Sequence, residues 1–335
     1  MTGIARWLRI AVAVVLATLI TGVATVAVLW QTRASPEDIP LSLADAPADA
    51  AGQVTVTWLG ITTLLFDDGE TQIMTDATFS RYSLGQLLFT RLKSDMAQIN
   101  YALDEFGMDR VRAIIPLHSH FDHAIDAGHV ANRTGAVILG SESTASIARG
   151  SRVPVDQYQI LGFGESRYFG DFTVTLLESR HAPVLGNDEY WLPGVIEDPL
   201  HQPARVNAWR AGATYAVLVS HPSGTTLVQG SAGYVDMGLD GHEADVVMLG
   251  IAGLSGLGRD YTADYWQQTV IRTGATRVYP IHFDNYTSRF GHVELFPDLV
   301  DDVVMTSAWL QELASASEPP VTVRLPRFGE PIVLY

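Results

Sequence analysis

The sequence predicts an α/β protein in which two β-sheets pack face to face between outer helices, preceded by one apolar helix. Three observations support this prediction. Short strand-like segments fill both halves of the chain, helical segments alternate with them, and an uncharged run occupies residues 10–30. Because a sheet must bury its apolar face against another layer, two strand-rich halves with outer helices favour two sheets between helical layers.

Short apolar runs bounded by turn residues indicate the strands, and longer periodic runs indicate the helices. In the first half, strands are predicted at Val54–Trp58, Thr62–Phe66, Thr71–Thr75 and Val111–Leu117. In the second half, they are predicted at Phe172–Leu177, Tyr215–Ser220, Thr225–Gln229, Val246–Leu249 and Arg277–Ile281. Helices are predicted at Ala124–Arg133, Tyr261–Thr273 and Leu295–Ala314.

The N-terminal run from Ile10 to Trp30 carries no charge and follows Arg6 and Arg9. As a helix it would be about 31 Å long, close to the ~30 Å hydrocarbon core of a bilayer. This predicts a membrane anchor over residues 1–30, with a cleaved signal sequence as the alternative. Because cations precede the run and acidic residues follow it, the positive-inside rule predicts a single-pass protein with a cytoplasmic N-terminus and an extracytoplasmic main domain.

Residues 31–52 hold three prolines, several alanines and four acidic residues. This composition predicts an extended linker and not a packed element. The remaining residues, 53–335, are long enough for one sizeable domain with a buried core.

The formal net charge is −16, from 21 basic and 37 acidic side chains. A surface of this charge repels phosphate backbones, so we expect no nucleic-acid partner. The sequence contains no cysteine, and any metal site must therefore use histidine and carboxylate ligands. Nothing in the sequence predicts the oligomeric state.

The segment His118-Ser119-His120-Phe121-Asp122-His123 directly follows the predicted strand that ends at Leu117. Alternate residues of an extended loop point the same way, so His118 and His120 can meet one metal ion. Asp122 and His123 can turn to a second ion. Imidazole nitrogen and carboxylate oxygen are suitable zinc ligands, which makes this loop the predicted metal site.

This His-x-His-x-Asp-His segment resembles the signature of the metallo-β-lactamase superfamily, and the similarity covers about residues 53–335. The resemblance implies a four-layer αββα sandwich with two zinc ions per chain at one edge between the sheets. It implies that His181 is the third ligand of the first ion, beside His118 and His120. His282 would complete the second site with Asp122 and His123.

The resemblance also implies roles for two carboxylates, and the sequence departs from the family pattern at Ser231. Asp76 matches an early Asp that supports the metal loop, and Asp122 would orient the nucleophile or accept its proton, so both are catalytic candidates. Ser231 stands where many members have an Asp that bridges both ions, which predicts a weaker second site. Ser231 is therefore expected either to support the metal ligands by contacting them or to contact the substrate.

The segment Trp58-Leu59-Gly60-Ile61 resembles the Trp-Leu-Gly-His opening of the lactonase and phospholipase-D-like branch, with Ile61 in place of the His. After His181, an insertion over residues 184–210 contains Tyr190 and Trp191. Long loops near an active site often serve as lids or substrate walls. Packing of these aromatic residues on the domain's own surface is the alternative.

Together these features predict a membrane-anchored, zinc-dependent hydrolase that uses metal-activated water. The expected target is an ester, lactone or phosphodiester bond in a small-molecule or lipid-like substrate. Two alternatives stay open: a non-catalytic metal-binding or interaction domain that retains the fold, and a β-lactamase-type amide hydrolase.

Overall fold

The computed structural model describes residues 2–45, 52–184 and 190–335. Residues 46–51 of the predicted linker and 185–189 of the predicted insertion lie outside the described residues. Helix α1 spans Thr2–Gln31, and its part from Arg6 to Gln31 is long and apolar enough to cross a membrane. The most apolar 18-residue window of that part is not buried against the rest of the protein.

Two seven-stranded sheets form the centre of the described structure. The first has the order β14-β1-β2-β3-β4-β5-β6, with β1 Thr55–Trp58, β2 Leu64–Asp67, β3 Gln72–Thr75, β4 Val111–Ile115, β5 Val137–Gly140, β6 Tyr158–Ile160 and β14 Pro331–Val333. The second has the order β13-β12-β11-β10-β9-β8-β7, with β7 Ser166–Phe169, β8 Phe172–Ser179, β9 Thr214–His221, β10 Gly224–Gln229, β11 Val246–Gly250, β12 Arg277–Ile281 and β13 Thr322–Val323.

Helices cover the outer faces of both sheets. They are α2 Leu84–Phe89, α3 Met96–Glu105, α4 Phe121–Ala124, α5 Ala127–Thr134, α6 Glu142–Gly150, α7 Leu254–Leu257, α8 Arg259–Trp266 and α9 Val303–Ala316, with a π-helical turn over Gln267–Ile271 after α8. One apolar core joins the two sheets and the helices α8 and α9. A second core joins α3 and α5 to the first sheet. The predicted four-layer αββα sandwich is thus confirmed.

The strands that lead into the predicted metal loop and its partners end at the same edge of the sandwich. β4 precedes His118 in the first sheet, while β8 precedes His181 and β12 precedes His282 in the second sheet. β8 and β10 are both antiparallel to β9, and β10 and β12 are both parallel to β11, so β8 and β12 run in the same direction. The topology therefore delivers residues from distant parts of the sequence to one place.

Two predicted helices have different bounds in the structure. The predicted helix over 124–133 is interrupted between α4 and α5, where the carboxylate of Asp126 accepts backbone hydrogen bonds from Phe79 and Ser80 at 2.8 and 2.6 Å. The predicted helix from residue 295 begins only at Val303, because residues 297–302 form turns and Asp302 caps the helix by accepting from the Met305 amide. Strands β5, β6, β7, β13 and β14 were not predicted.

Part of the predicted linker packs on the domain. Ile39, Leu41 and Ala44 are buried, with 6%, 8% and 4% of their surface exposed. The Ala44 amide donates to the Leu325 carbonyl at 2.8 Å, and the Leu325 amide donates to the Ser42 carbonyl at 2.9 Å. Residues 39–44 therefore form a docked segment, which differs from the extended, unpacked chain expected from composition.

The docked segment should contribute to stability. Leu41→Ala is expected to lower the free energy of unfolding by about 2 kcal/mol, since it leaves a gap at a buried position. Leu43→Ala is the matched control, because Leu43 is 45% exposed, and its expected effect is within about 0.5 kcal/mol. Chemical unfolding of the full chain in detergent measures both. Equal effects would mean that the segment does not pack in solution.

Candidate metal centre

The six predicted metal ligands lie in two neighbouring groups at the sheet edge. The first group is His118, His120 and His181, and the second is Asp122, His123 and His282. Within each group, one potential ligand atom from each residue lies within 4.8 Å of the other two. The structure thus brings together all six residues that the sequence singled out.

In the first group, three imidazole rings converge with defined tautomers for two of them. His118 Nε2 lies 2.9 Å from His120 Nδ1, and the His181 ring lies 4.9 and 5.0 Å from these two rings. His181 Nδ1 donates to the Ala182 carbonyl at 2.8 Å, and His120 Nε2 donates to the Leu192 carbonyl at 3.3 Å. His181 Nε2 and His120 Nδ1 therefore keep their lone pairs for a metal ion.

In the second group, Asp122 lies between two imidazoles. Its Oδ2 atom is 3.6 Å from His123 Nε2 and 3.7 Å from His282 Nε2. The His123 ring is only 3.9 Å from the His118 ring, so the two groups adjoin. His282 has a φ of 57°, an uncommon backbone conformation for a residue other than glycine, and its amide donates to the Ile61 carbonyl at 2.8 Å.

At His123, Asp76 and Asp122 outweigh burial and raise the pKa of the imidazole. At the other four candidate histidine ligands, burial sets the charge state. It lowers the pKa of His120 to about 4 and of His282 to about 3, and it lowers the pKa values of His118 and His181 as well. These imidazoles are therefore neutral at pH 7, which is the form that binds metal ions. Burial alone would raise the pKa of Asp122, but the attraction of the His123 imidazole, whose own pKa is raised, is the main effect that outweighs this and holds the pKa of Asp122 below its usual range.

Asp76 supports the metal loop from behind. This fully buried carboxylate accepts from the Leu117 amide at 2.8 Å through Oδ1 and from His123 Nδ1 at 2.9 Å through Oδ2. The Thr62 hydroxyl donates to the same Oδ2 atom. Asp76 thereby directs His123 Nε2 toward the metal group. In this geometry Asp76 is a positioning residue, whereas the sequence analysis identified it as a catalytic candidate.

Two supporting residues were missed by the sequence interpretation. Thr62 contacts both Asp76 and His123, and its hydroxyl lies 2.9 Å from His123 Nδ1. Asp126 holds the loop after Asp76 against the metal loop, since it accepts from the Phe79 and Ser80 amides and from the Ser80 hydroxyl. Asp126 lies close to the metal loop in sequence, which was its only signal. Thr62 gave no local signal.

Ser231 stabilises the loop that carries His181. Its hydroxyl accepts from the Ala182 amide at 2.8 Å. The backbone is close as well, because a Cβ atom on Gly233 would come within 2.5 Å of the His181 carbonyl oxygen. The residue at the position of a bridging Asp therefore serves, in this structure, to position the neighbouring ligand loop.

Two aromatic residues of the insertion lie against the first group. The Tyr190 ring stacks on His181 at 5.5 Å with an interplanar angle of 23°. The Trp191 ring lies 5.6 Å from His120 and is 45% exposed. Trp209, by contrast, is fully buried in a separate apolar cluster. Tyr190 and Trp191 thus lie directly beside the first group, and Trp209 is packed in the domain.

The donor set fits two zinc ions. A catalytic zinc ion takes three protein ligands of nitrogen and oxygen type and keeps a further position open. Each group offers three such donors, and the hydrogen bonds to Ala182, Leu192 and Asp76 fix which ring nitrogen faces the group. No residue corresponding to a bridging carboxylate joins them among the described residues, because Ser231 occupies that place.

A family comparison agrees with this geometry. The model of the metallo-beta-lactamase superfamily matches residues 56–276. The chain belongs to the metallo-β-lactamase superfamily. This confirms the family predicted from the metal-loop segment, and it supports the predicted enzyme class of metal-dependent hydrolases.

Solved structures with the same fold are distant in sequence. The chain is similar to a possible metal-dependent hydrolase from Veillonella parvula, with a TM-score of 0.52, 15% identity, and coverage of 84% of this chain and 100% of that one. It is also similar to an isothiocyanate hydrolase from Delia radicum gut bacteria, with a TM-score of 0.51, 15% identity, and coverage of 84% and 99%.

A third similar structure is CmlA, a diiron β-hydroxylase from Streptomyces venezuelae, with a TM-score of 0.54, 13% identity, and coverage of 84% of this chain and 54% of that one. At these identities the comparisons show the shared fold alone. The search of curated proteins gave no match.

Asp76 provides a direct test of the second group. Asp76→Asn keeps a side chain that tolerates the observed φ of 58°, but whichever way the amide turns, it loses one of the accepted hydrogen bonds. Zinc affinity should fall by about 10- to 100-fold, as expected when an outer partner of a ligand is lost. Competition with a chromophoric chelator measures it. Asp298→Asn, at an exposed position, is the control, and equal affinities would contradict the role of Asp76.

Proposed function

We propose that this protein is a membrane-anchored, zinc-dependent hydrolase that cleaves an ester, lactone or phosphodiester bond. The observation that carries the proposal is the pair of adjoining three-ligand groups at one edge of the sandwich. Four of the imidazoles are neutral and the fifth, His123, is oriented by Asp76. Without a metal ion, these five rings and one carboxylate would have no structural reason to converge there. His118, His120 and His181 would hold one ion, and the second group would hold the other.

Asp122 is the proposed proton acceptor. When bound, zinc activates water at neutral pH and polarises a carbonyl or phosphoryl oxygen. Both close contacts of Asp122 with imidazoles use Oδ2, which leaves Oδ1 to orient the attacking water and take up its proton. His123 is held by its hydrogen bond to Asp76, so the fold sets the orientation of the imidazole beside Asp122.

Tyr190 and Trp191 are proposed to form the substrate wall. Trp191 presents a partly exposed indole beside His120, and Tyr190 covers one face of His181. Such a wall suits a substrate with an apolar portion next to its hydrolysable bond. Together with an apolar N-terminal helix, it favours a lipid-like substrate over a polar metabolite.

Helix α1 is proposed as the anchor. Its apolar part is unburied, and a bilayer would cover it. The N-terminus would lie in the cytoplasm, because Arg6 and Arg9 precede the run, and residues 53–335 would lie outside it. The formal charge of −16 also disfavours a nucleic-acid substrate.

A non-catalytic metal-binding domain is the second candidate, and Ser231 is the observation that favours it. Without a bridging carboxylate, three ligands alone would hold the second ion. Turnover with both ions bound would exclude this candidate, whereas stable binding of two ions without any turnover would support it. A β-lactamase activity is tested in the same assay.

The first experiment uses the full chain, loaded with zinc in detergent, on a phosphodiester, a lactone, a carboxylic ester and a β-lactam. Removal of zinc by a chelator should abolish turnover, and zinc should restore it. His118→Ala should lower kcat/KM at least about 100-fold, because loss of a ligand exceeds the loss of an outer partner.

His242→Ala is the matched control. His242 precedes β11 and so lies at the sheet end opposite the metal centre, and its replacement should leave turnover unchanged. Full activity of His118→Ala on the substrate that the native protein hydrolyses would refute the proposal.

A further inference from the structure

A series of aromatic rings begins at the end of helix α1. The Trp30 ring lies 6.3 Å from Phe296, the Phe296 ring lies 5.1 Å from Tyr286, and the Tyr286 ring lies 6.0 Å from Phe121. Each distance is within the range of direct aromatic contact. The series leads from the apolar helix into the folded domain.

The same series ends at the candidate metal centre. Phe121 lies 6.3 Å from Trp191, and Trp191 lies 5.6 Å from the ligand candidate His120. The aromatic row is defined here as Trp30, Phe296, Tyr286, Phe121 and Trp191. Successive contacts therefore connect the apolar helix with the first metal group.

The helix end is fixed to the start of the row. Arg33 Nη2 forms an ion pair with Glu294 Oε1 at 2.9 Å, and Arg33 Nη1 donates to the Trp30 carbonyl at 2.8 Å. Trp30 stands near the end of the span Arg6–Gln31, a position where tryptophan commonly lies at the membrane–water interface. Phe296, in contact with Trp30, is thereby placed close to the bilayer surface.

The row is partly open to solvent. Trp191 is 45% exposed, and Trp30, Tyr286 and Phe296 are half-buried, whereas Phe121 is 4% exposed. Partly open aromatic surface that leads to a site indicates contact with an apolar ligand.

Exposed apolar residues flank the row. Leu299 and Val300, which follow Phe296 closely in sequence, are 81% and 61% exposed. On α2, Leu88 and Phe89 are 59% and 77% exposed, and their neighbour Leu87 packs in the same apolar cluster as Phe121. The negative formal charge gives no attraction to anionic lipids, so contact with a bilayer must be apolar.

We propose that the aromatic row holds the hydrocarbon tail of an amphiphile taken from the bilayer, while the hydrolysable group of that amphiphile lies at the metal centre. This inference rests on the proposed function and names its substrate class. The tail would lie along Phe296 and Tyr286 and across Phe121, with Trp191 at the junction between tail and reacting group. Each buried methylene should then strengthen binding by up to about fourfold.

The test compares two chain lengths in one protein. The full chain, loaded with zinc in nanodiscs of zwitterionic lipid, is assayed on 4-nitrophenyl acetate and decanoate, and on methyl and decyl 4-nitrophenyl phosphodiesters. We expect kcat/KM to be at least tenfold higher for the long member of the hydrolysed pair. If both members are hydrolysed in a metal-dependent way with a long-to-short ratio near one, the aromatic row does not bind the tail. The hydrolase proposal would remain intact.

Variants test whether the aromatic row causes the long-to-short ratio of kcat/KM. Phe296→Ser should lower the long-to-short ratio at least tenfold, and Phe296→Leu, which stays apolar, should retain most of it. Phe163→Ser is the matched control, because Phe163 is 49% exposed and lies outside the row. An unchanged ratio in Phe296→Ser would count against the inference.

A second measurement does not depend on turnover. A phosphatidylcholine with a diazirine at the tail end is incorporated in the nanodiscs, and labelled residues are mapped by mass spectrometry. Label on α1 and on Tyr286 or Trp191 is expected. Label on α1 without label on the row would overturn the inference even if neither substrate pair is hydrolysed. Absence of label on α1 would refute the anchor, on which the inference depends.

Discussion

The buried carboxylate of Asp76 is the constraint on which the metal centre depends. A carboxylate removed from water is costly unless its oxygens are hydrogen-bonded. Here the partners come from three places: the Thr62 hydroxyl, the Leu117 amide at the end of the β4 segment, and the His123 ring. Satisfying this one group therefore fixes the start of the metal loop and the orientation of a ligand together.

The second sheet contributes its ligands through backbone geometry instead of a buried charge. Ser231 binds the amide next to His181, and the close approach of Gly233 holds the same loop. His282 is held in an uncommon backbone conformation by its hydrogen bond to Ile61. Although the chain lacks the bridging carboxylate, separate backbone contacts position the His181 loop and the His282 loop. This arrangement is consistent with two adjoining ligand groups.

The sequence predicted what depends on neighbouring residues or on a family pattern. The metal loop was predicted because its ligands are adjacent, and His181 and His282 because they match that pattern. Thr62 and the contacts along the aromatic row were not predicted, although Trp191 itself was a candidate, since contacts such as Trp30 with Phe296 join distant positions and leave no local pattern. The sequence predicts a linker over residues 31–52, including 39–44, because prolines and acids surround a few apolar residues. The packing of residues 39–44 depends on contacts with the distant Leu325.

The packed segment after α1 changes what an anchor can do. A flexible linker would let the domain sample many orientations relative to a bilayer. Here Arg33 is paired with Glu294, and Leu41 and Ala44 are buried on the domain, so the end of α1 is connected firmly to the body that carries the metal ligands. If α1 spans a membrane, the metal centre is held at a fixed height and orientation above it. Such an attachment suits a substrate that itself has a fixed orientation in the bilayer, since the cost of aligning the two partners is met by the fold before they meet.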